Sequence, residues 1–156
     1  MGSVVPSLKI TQASFNIDFA GSLRELEKRA TPLVKAMLSR AAADARSNLE
    51  RNKSGDSGLL KKSIKTKFKT RGRILWGAVG VDSNVDGLVG KITKQTRRPI
   101  KYAHLIERGF THYPDGSAIQ AKPFLAPAVN KMGGAEGVAK KLKEMSVEIM
   151  ARTKTK

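Results

Sequence analysis

The chain has 156 residues, 40% of them hydrophobic, with 30 basic against 13 acidic side chains and a formal net charge of +17. That length suits one compact core and not two, so residues 1–156 are read as a single domain with 1–7 and 152–156 as flexible tails. Zero cysteines exclude disulfides and thiolate metal sites, two histidines exclude most zinc arrangements, and no apolar run is long enough for a membrane span.

The N-terminus has no basic region followed by an apolar core, and Pro6 stands where a myristoylation motif needs Ser or Thr, so a soluble chain made in the cytoplasm is expected. Leu8 and Ile10, then Phe15, Ile17 and Phe19, predict an N-terminal strand. Ser22 and Glu25 have the spacing of a capping box. From Leu23 onward, Leu26, Ala30, Leu33, Val34, Met37, Leu38, Ala41, Ala45 and Leu49 recur at threes and fours, one face of a helix reaching Arg51. Pro32 inside that pattern should kink or restart the helix, with Thr31 capping the second segment. The alanines at 41, 42, 43 and 45 permit close helix approach, more simply within the core than against a neighbouring subunit.

Positive charge is concentrated in two windows. Arg51 to Arg73 holds nine basic residues and one acidic, and Lys91 to Lys101 holds five basic and none acidic. A field of this size attracts polyanions, whether nucleic acid or an acidic protein surface. After a loop ending at Gly58, Lys65, Lys67, Lys69, Arg71 and Arg73 alternate with Thr66, Phe68, Thr70 and Gly72, which in an extended chain puts every cation on one face. A turn at Arg71-Gly72 and a returning strand over Ile74 to Val81 complete a hairpin with one basic face. Leu88 to Lys101 reads as a basic connector.

Tyr102, Leu105 and Ile106 predict a short buried helical turn, with Gly109 at its left-handed end. Pro114, Asp115 and Gly116 give turn chemistry. Pro123 can open a new helix at its first position, with Phe124, Leu125, Ala128, Val129 and Met132 as its apolar side. Gly133-Gly134 breaks the chain before a final amphipathic helix carrying Val138, Leu142, Met145 and Ile149.

No catalytic constellation is visible. His104 and Glu107 lie three apart on one helical turn, but no third ligand or nucleophile joins them, and Glu107 is expected to cap or to pair with Lys101 or Arg108. His112 with Asp115 likewise lacks partners. Gly77 to Gly90 has neither the spacing nor the Lys-Ser/Thr ending of a phosphate loop. No catalytic residue, metal or cofactor is expected. A backbone-tracking nucleic-acid surface is the competing reading of the basic strand, weakened by Phe68, which falls on the face opposite the lysines.

The run Tyr102-Ala103, Glu107, Gly109, a variable loop, then Pro123-Phe124-Leu125 and Pro127-Ala128 resembles the signature of the small neck or tail-completion proteins of long-tailed bacteriophages, lambdoid phages among them. Ser54-Gly55-Asp56-Ser57-Gly58-Leu59-Leu60-Lys61-Lys62-Ser63-Ile64 resembles the segment that follows that family's long first helix. The likeness covers about Leu23 to Met132. Where the family commonly has Gly-Thr, Phe110 here separates Gly109 from Thr111, so the loop that follows is expected to be shaped differently.

The resemblance implies a structural virion protein without turnover. Its subunits would form a ring, usually a hexamer, in the neck or at the head-proximal end of the tail, beside other neck, connector and tail-tube proteins, with genome DNA passing through the channel. A tail terminator ring is a close relative, and a sequence-independent DNA-binding accessory protein is the alternative from another class. The long helix, the hairpin and the loops Asn52 to Gly58 and Phe110 to Ser117 would form or dock the ring. The basic face is expected to dock against an acidic ring, since lining the channel would impede the genome. The fold expected is α+β: a long N-terminal helix packed on a small, mostly antiparallel sheet with a protruding hairpin, plus short helices and a C-terminal helix.

Overall fold

A computed structural model describes residues 7–11, 14–18, 24–52, 58–82, 99–112 and 115–153. The expected Ser22 cap, Phe19 and most of the Leu88 to Lys101 connector lie outside them. In chain order the elements are β1 (Ser7–Thr11), β2 (Ser14–Asp18), α1 (Arg24–Arg51), α2 (Leu59–Ser63), β3 (Ile64–Arg71), β4 (Ile74–Val81), α3 (Pro99–Arg108), β5 (Phe110–Thr111), β6 (Ala118–Ile119), α4 (Leu125–Lys131) and α5 (Gly134–Thr153). The architecture is α+β, as the periodicities predict.

The main sheet has four strands in the order β1-β2-β4-β3, every neighbouring pair antiparallel. The expected single N-terminal strand is two. A straight strand would put Leu8 and Ile10 on the face opposite Phe15 and Ile17, because side chains alternate with period two. Doubling back instead sets Leu8 against Ile17 and Ile10 against Phe15. The β3–β4 turn also shifts by one residue: Arg71 pairs with Ile74, leaving Gly72 and Arg73 as the two-residue loop. Gly72 has φ 59°, which the left-handed geometry of such a tight turn demands.

α1 is one continuous 28-residue helix about 42 Å long. It runs through Pro32; that residue and Lys28, whose carbonyl loses its intrahelical N–H partner, are both exposed. Thr31 does not cap a second segment; its hydroxyl donates back to the Glu27 carbonyl at 3.0 Å. α1 packs on β3 and β4 and also against α4 and α5. Its Leu26, Val34, Leu38 and Leu49 join Ile17, Leu60, Ile64, Leu75 and Phe124 in one buried cluster. Ala41, Ala42 and Ala45 are buried and Ala43 is exposed, so the small stripe serves packing within the chain.

α3 begins with Pro99 at its first position, earlier than the Tyr102 turn predicted, and α5 continues through Arg152, which pairs with Glu148 at 2.6 Å.

Candidate assembly interface

Two regions contain the residues singled out above, and they are built in opposite ways. The first is the junction of α1, α3 and α4. α3 ends at Arg108, and Gly109 (φ +75°) turns the chain, its N–H donating to the Leu105 carbonyl at 2.8 Å. A Cβ on Gly109 would meet the Ile119 carbonyl oxygen at 2.7 Å and the Ala121 nitrogen at 2.8 Å. Glycine is therefore required for its conformation and for the close return of the chain at the end of β6.

Glu107, the penultimate residue of α3, reaches across to the start of α4. Its Oε2 accepts from the backbone N–H groups of Phe124 (2.9 Å) and Leu125 (3.1 Å), and Oε1 accepts from that of Ala126 (2.8 Å). A helix start leaves its first N–H groups without intrahelical partners. Here three are taken by one carboxylate, and the fourth does not exist, because the next residue is Pro127. Glu107 is thus a cap, one of its two expected roles, and it caps a different helix. Pro123 does not open α4; it precedes the N-cap residue Phe124, and Pro127 occupies the first turn. The reason is the same carboxylate, which needs the N–H groups at 124, 125 and 126.

The α1 end of the junction escaped the sequence reading. Asn48 Nδ2 donates to the Phe124 carbonyl and Asn52 Nδ2 to the Pro123 carbonyl, both at 3.0 Å. These two amides lie four apart beside the apolar face of α1, and that spacing was the available signal. Phe124 itself is 1% exposed. Tyr102 is half-buried against the core, and its desolvation pushes the phenol above its usual pKa.

Upstream, Gly58 (φ 66°) leads into α2, where the half-buried Leu59 is the first residue. The buried Ser63 hydroxyl donates to the Leu60 carbonyl at 2.6 Å, and the Asp82 N–H donates to the Ser63 carbonyl at 2.8 Å. Ser54 to Ser57 of that block lie outside the described residues.

A groove of about 570 Å³ lies at the junction, lined by Ala103, His104, Arg108, Phe124, Leu125 and Val129 among others. The Glu107 carboxylate at its wall is occupied by the three N–H groups, which removes the His104 and Glu107 pair as a ligand set. Among the described residues, no group of three or more His, Cys, Asp or Glu side chains is placed to hold a metal.

The loop after Gly109 is a small hairpin, β5 against β6. His112 and Asp115, read as a pair without further partners, meet at its tip, where Ser117 joins them. Asp115 Oδ1 lies 3.0 Å from His112 Nδ1 and accepts from the Ser117 N–H (3.1 Å) and hydroxyl (3.0 Å). These bonds, the Ser117 amide foremost, hold its carboxyl below the usual range.

The second region is the outer face of the β3–β4 hairpin. Ile64 is buried, and Phe68 is half-buried on the α1 side with the Lys35 ammonium 4.8 Å from its ring centre. Lys65, Lys67, Lys69 and Arg71 therefore face away from α1. Arg73 does not join them: it lies in the turn, with Nε 3.6 Å from Glu27 on α1. Lys67 lies 3.5 Å from Asp82. Among the described residues, no ion pair holds Lys69 or Arg71. The register places Trp76 directly opposite Lys69 and Ile74 opposite Arg71. Opposed residues of an antiparallel pair share a face, with Cβ atoms about 5 Å apart. Trp76 is half-buried and outside the core cluster, and Ile74 is 39% exposed. The basic face thus carries an aromatic that the sequence reading did not place on it; the signal was the hairpin itself, which puts Trp76 on the cation face whether the turn falls at Arg71-Gly72, opposite Lys67, or at Gly72-Arg73, opposite Lys69.

Among the described residues, no helix is long and apolar enough to cross a membrane. No curated protein and no solved structure matches the chain. The family model described as "Bacteriophage HK97-gp10, putative tail-component" matches residues 17–109, more than half of the chain, which therefore belongs to this HK97-gp10-like family of bacteriophage proteins.

Proposed function

We propose that the chain is a ring-forming subunit of the phage neck or of the head-proximal end of the tail, a hexamer of which completes the tail or joins it to the head. The coarser part of this reading, a structural, tail-related role in the virion among other tail proteins, follows from the family itself. The match also bears out the resemblance to this phage family; it spans the glycine-serine block and the Tyr102 to Gly109 part of the motif and ends before Pro123. The observation that carries the finer proposal is the junction of Asn48, Asn52 and Glu107. It devotes the motif residues to fixing three helices rigidly against one another, which is what a subunit held in register with its neighbours requires.

The basic hairpin is the assembly face of this proposal. Its Lys65, Lys67, Lys69 and Arg71 dock against an acidic surface of an adjoining ring, steering encounter and setting register. Arg73 serves the hairpin from within, through Glu27. The test is electron microscopy of particles with the chain labelled, together with reversal of Lys65, Lys67 and Lys69 to Glu. The label should sit at the junction of capsid and tail, and the variant should give soluble subunits with unjoined heads and tails. Absence of the chain from particles, or normal infectivity of the variant, would overturn the proposal.

A further inference from the structure

The outer hairpin face is a mixed surface. One strand presents the cations Lys67, Lys69 and Arg71, and the neighbouring strand presents Ile74, Trp76 and Ala78 in register with them. Two cations, Lys69 and Arg71, have no ion-pair partner among the described residues, and each stands opposite an apolar residue. Ile74 and Trp76 lie outside the core cluster. Their burial is not needed to close the core, which Leu75 and Val79 serve from the same strand.

We infer that this face binds a protein segment that is both acidic and apolar, with Trp76 and Ile74 as its anchors and Lys69 and Arg71 as its charged rim. An apolar centre bounded by charged groups is the anatomy of a protein interface, and Trp and Arg are the residues that most often dominate binding there. The same face of a second copy is the wrong occupant, because it would set Lys65, Lys67, Lys69 and Arg71 against cations of like sign. Duplex DNA meets the cations through its phosphates but offers nothing for Ile74 and Trp76 to bury. A single strand stacks successive bases on successive aromatics, and this face supplies one. The partner left is an acidic segment whose alternate residues are apolar, so that carboxylates meet one strand and hydrophobic groups the other. This rests on the reading of the hairpin as an assembly face and adds the anchor residues and the chemistry of what docks.

Trp76 is the sole tryptophan of the chain, so its fluorescence reports on this face directly. The purified full-length protein is titrated, at about 0.15 M salt, with an alternating leucine–glutamate polypeptide, with polyglutamate, with a short duplex DNA and with a thymidine single strand. The leucine–glutamate polymer should bind saturably and shift Trp76 emission to the blue, and polyglutamate should bind at least about tenfold more weakly with no blue shift. Trp76→Ala, followed through a labelled polymer, and Ile74→Ser, which keeps the reporter, should each weaken the leucine–glutamate polymer about tenfold. Lys69→Glu with Arg71→Glu should weaken it similarly. Circular dichroism of each variant confirms the fold. Equal affinity for polyglutamate, tighter binding of either DNA, or no loss with both Ile74→Ser and Trp76→Ala would overturn the inference. The titration needs no ring and no particle, so it fails separately from the neck or tail assignment, which the labelled particles decide.

Discussion

The junction around Phe124 and the outer face of the β3–β4 hairpin belong to one scaffold but treat their polar groups in opposite ways. At the junction, the Glu107 carboxylate takes three backbone N–H groups and the Asn48 and Asn52 amides take two carbonyls, and the ring of Phe124 is sealed beneath. On the hairpin, Lys69 and Arg71 have no ion-pair partner among the described residues, and Trp76 remains half-buried outside the core. The difference teaches where stability is held and where binding capacity is left. Groups already satisfied inside the chain have little to offer a partner, whereas unpaired charge beside accessible apolar surface does.

That contrast is broken most directly by Phe124→Ala. Deleting a ring that is 1% exposed should cost about 4 kcal/mol, read as a loss of denaturant midpoint with unchanged slope. A cost under about 1 kcal/mol would mean that the junction is not a core element. Glu107→Ala comes next, at about 3 kcal/mol, because three helix-start donors lose a charged acceptor together. Glu107→Gln should recover part of this, since one oxygen of the amide still accepts. If alanine and glutamine behave alike, the carboxylate is not the cap.

The opposite outcome is expected on the hairpin. Lys69→Glu with Arg71→Glu should leave thermal stability within about 0.5 kcal/mol, since no ion pair among the described residues is lost. A large loss there would place the hairpin face among the stabilising regions and end the comparison. The smallest effect lies at the β5–β6 tip. The Asp115 carboxyl has a folded pKa below its unfolded one, so its hold on Ser117 is full above the ordinary carboxylate range and disappears as pH falls through the lowered value. Protection of the Ser117 amide, its exchange rate relative to the intrinsic rate at the same pH, should be lost only at that acidic end. Loss of that protection already near neutral pH would show that Asp115 does not order the tip.

The helical face of α1, the alternation of cations along β3, the left-handed end of α3 at Gly109 and the break at Gly133-Gly134 were legible in the amino-acid sequence. Each is a local periodicity or a backbone requirement of a single residue, and local patterns need no knowledge of what lies across the core. Other features were settled by tertiary structure alone: Glu107 capping α4, Asn48 and Asn52 gripping carbonyls more than seventy positions away, Arg73 turning to Glu27, the doubling of the N-terminal strand, and the pairing of Trp76 with Lys69 rather than Lys67. Their common physical cause is that a hydrogen bond, an ion pair or a cross-strand register chooses its partner by proximity in space. That proximity exists only once α1 has brought sheet and helices together around its buried face.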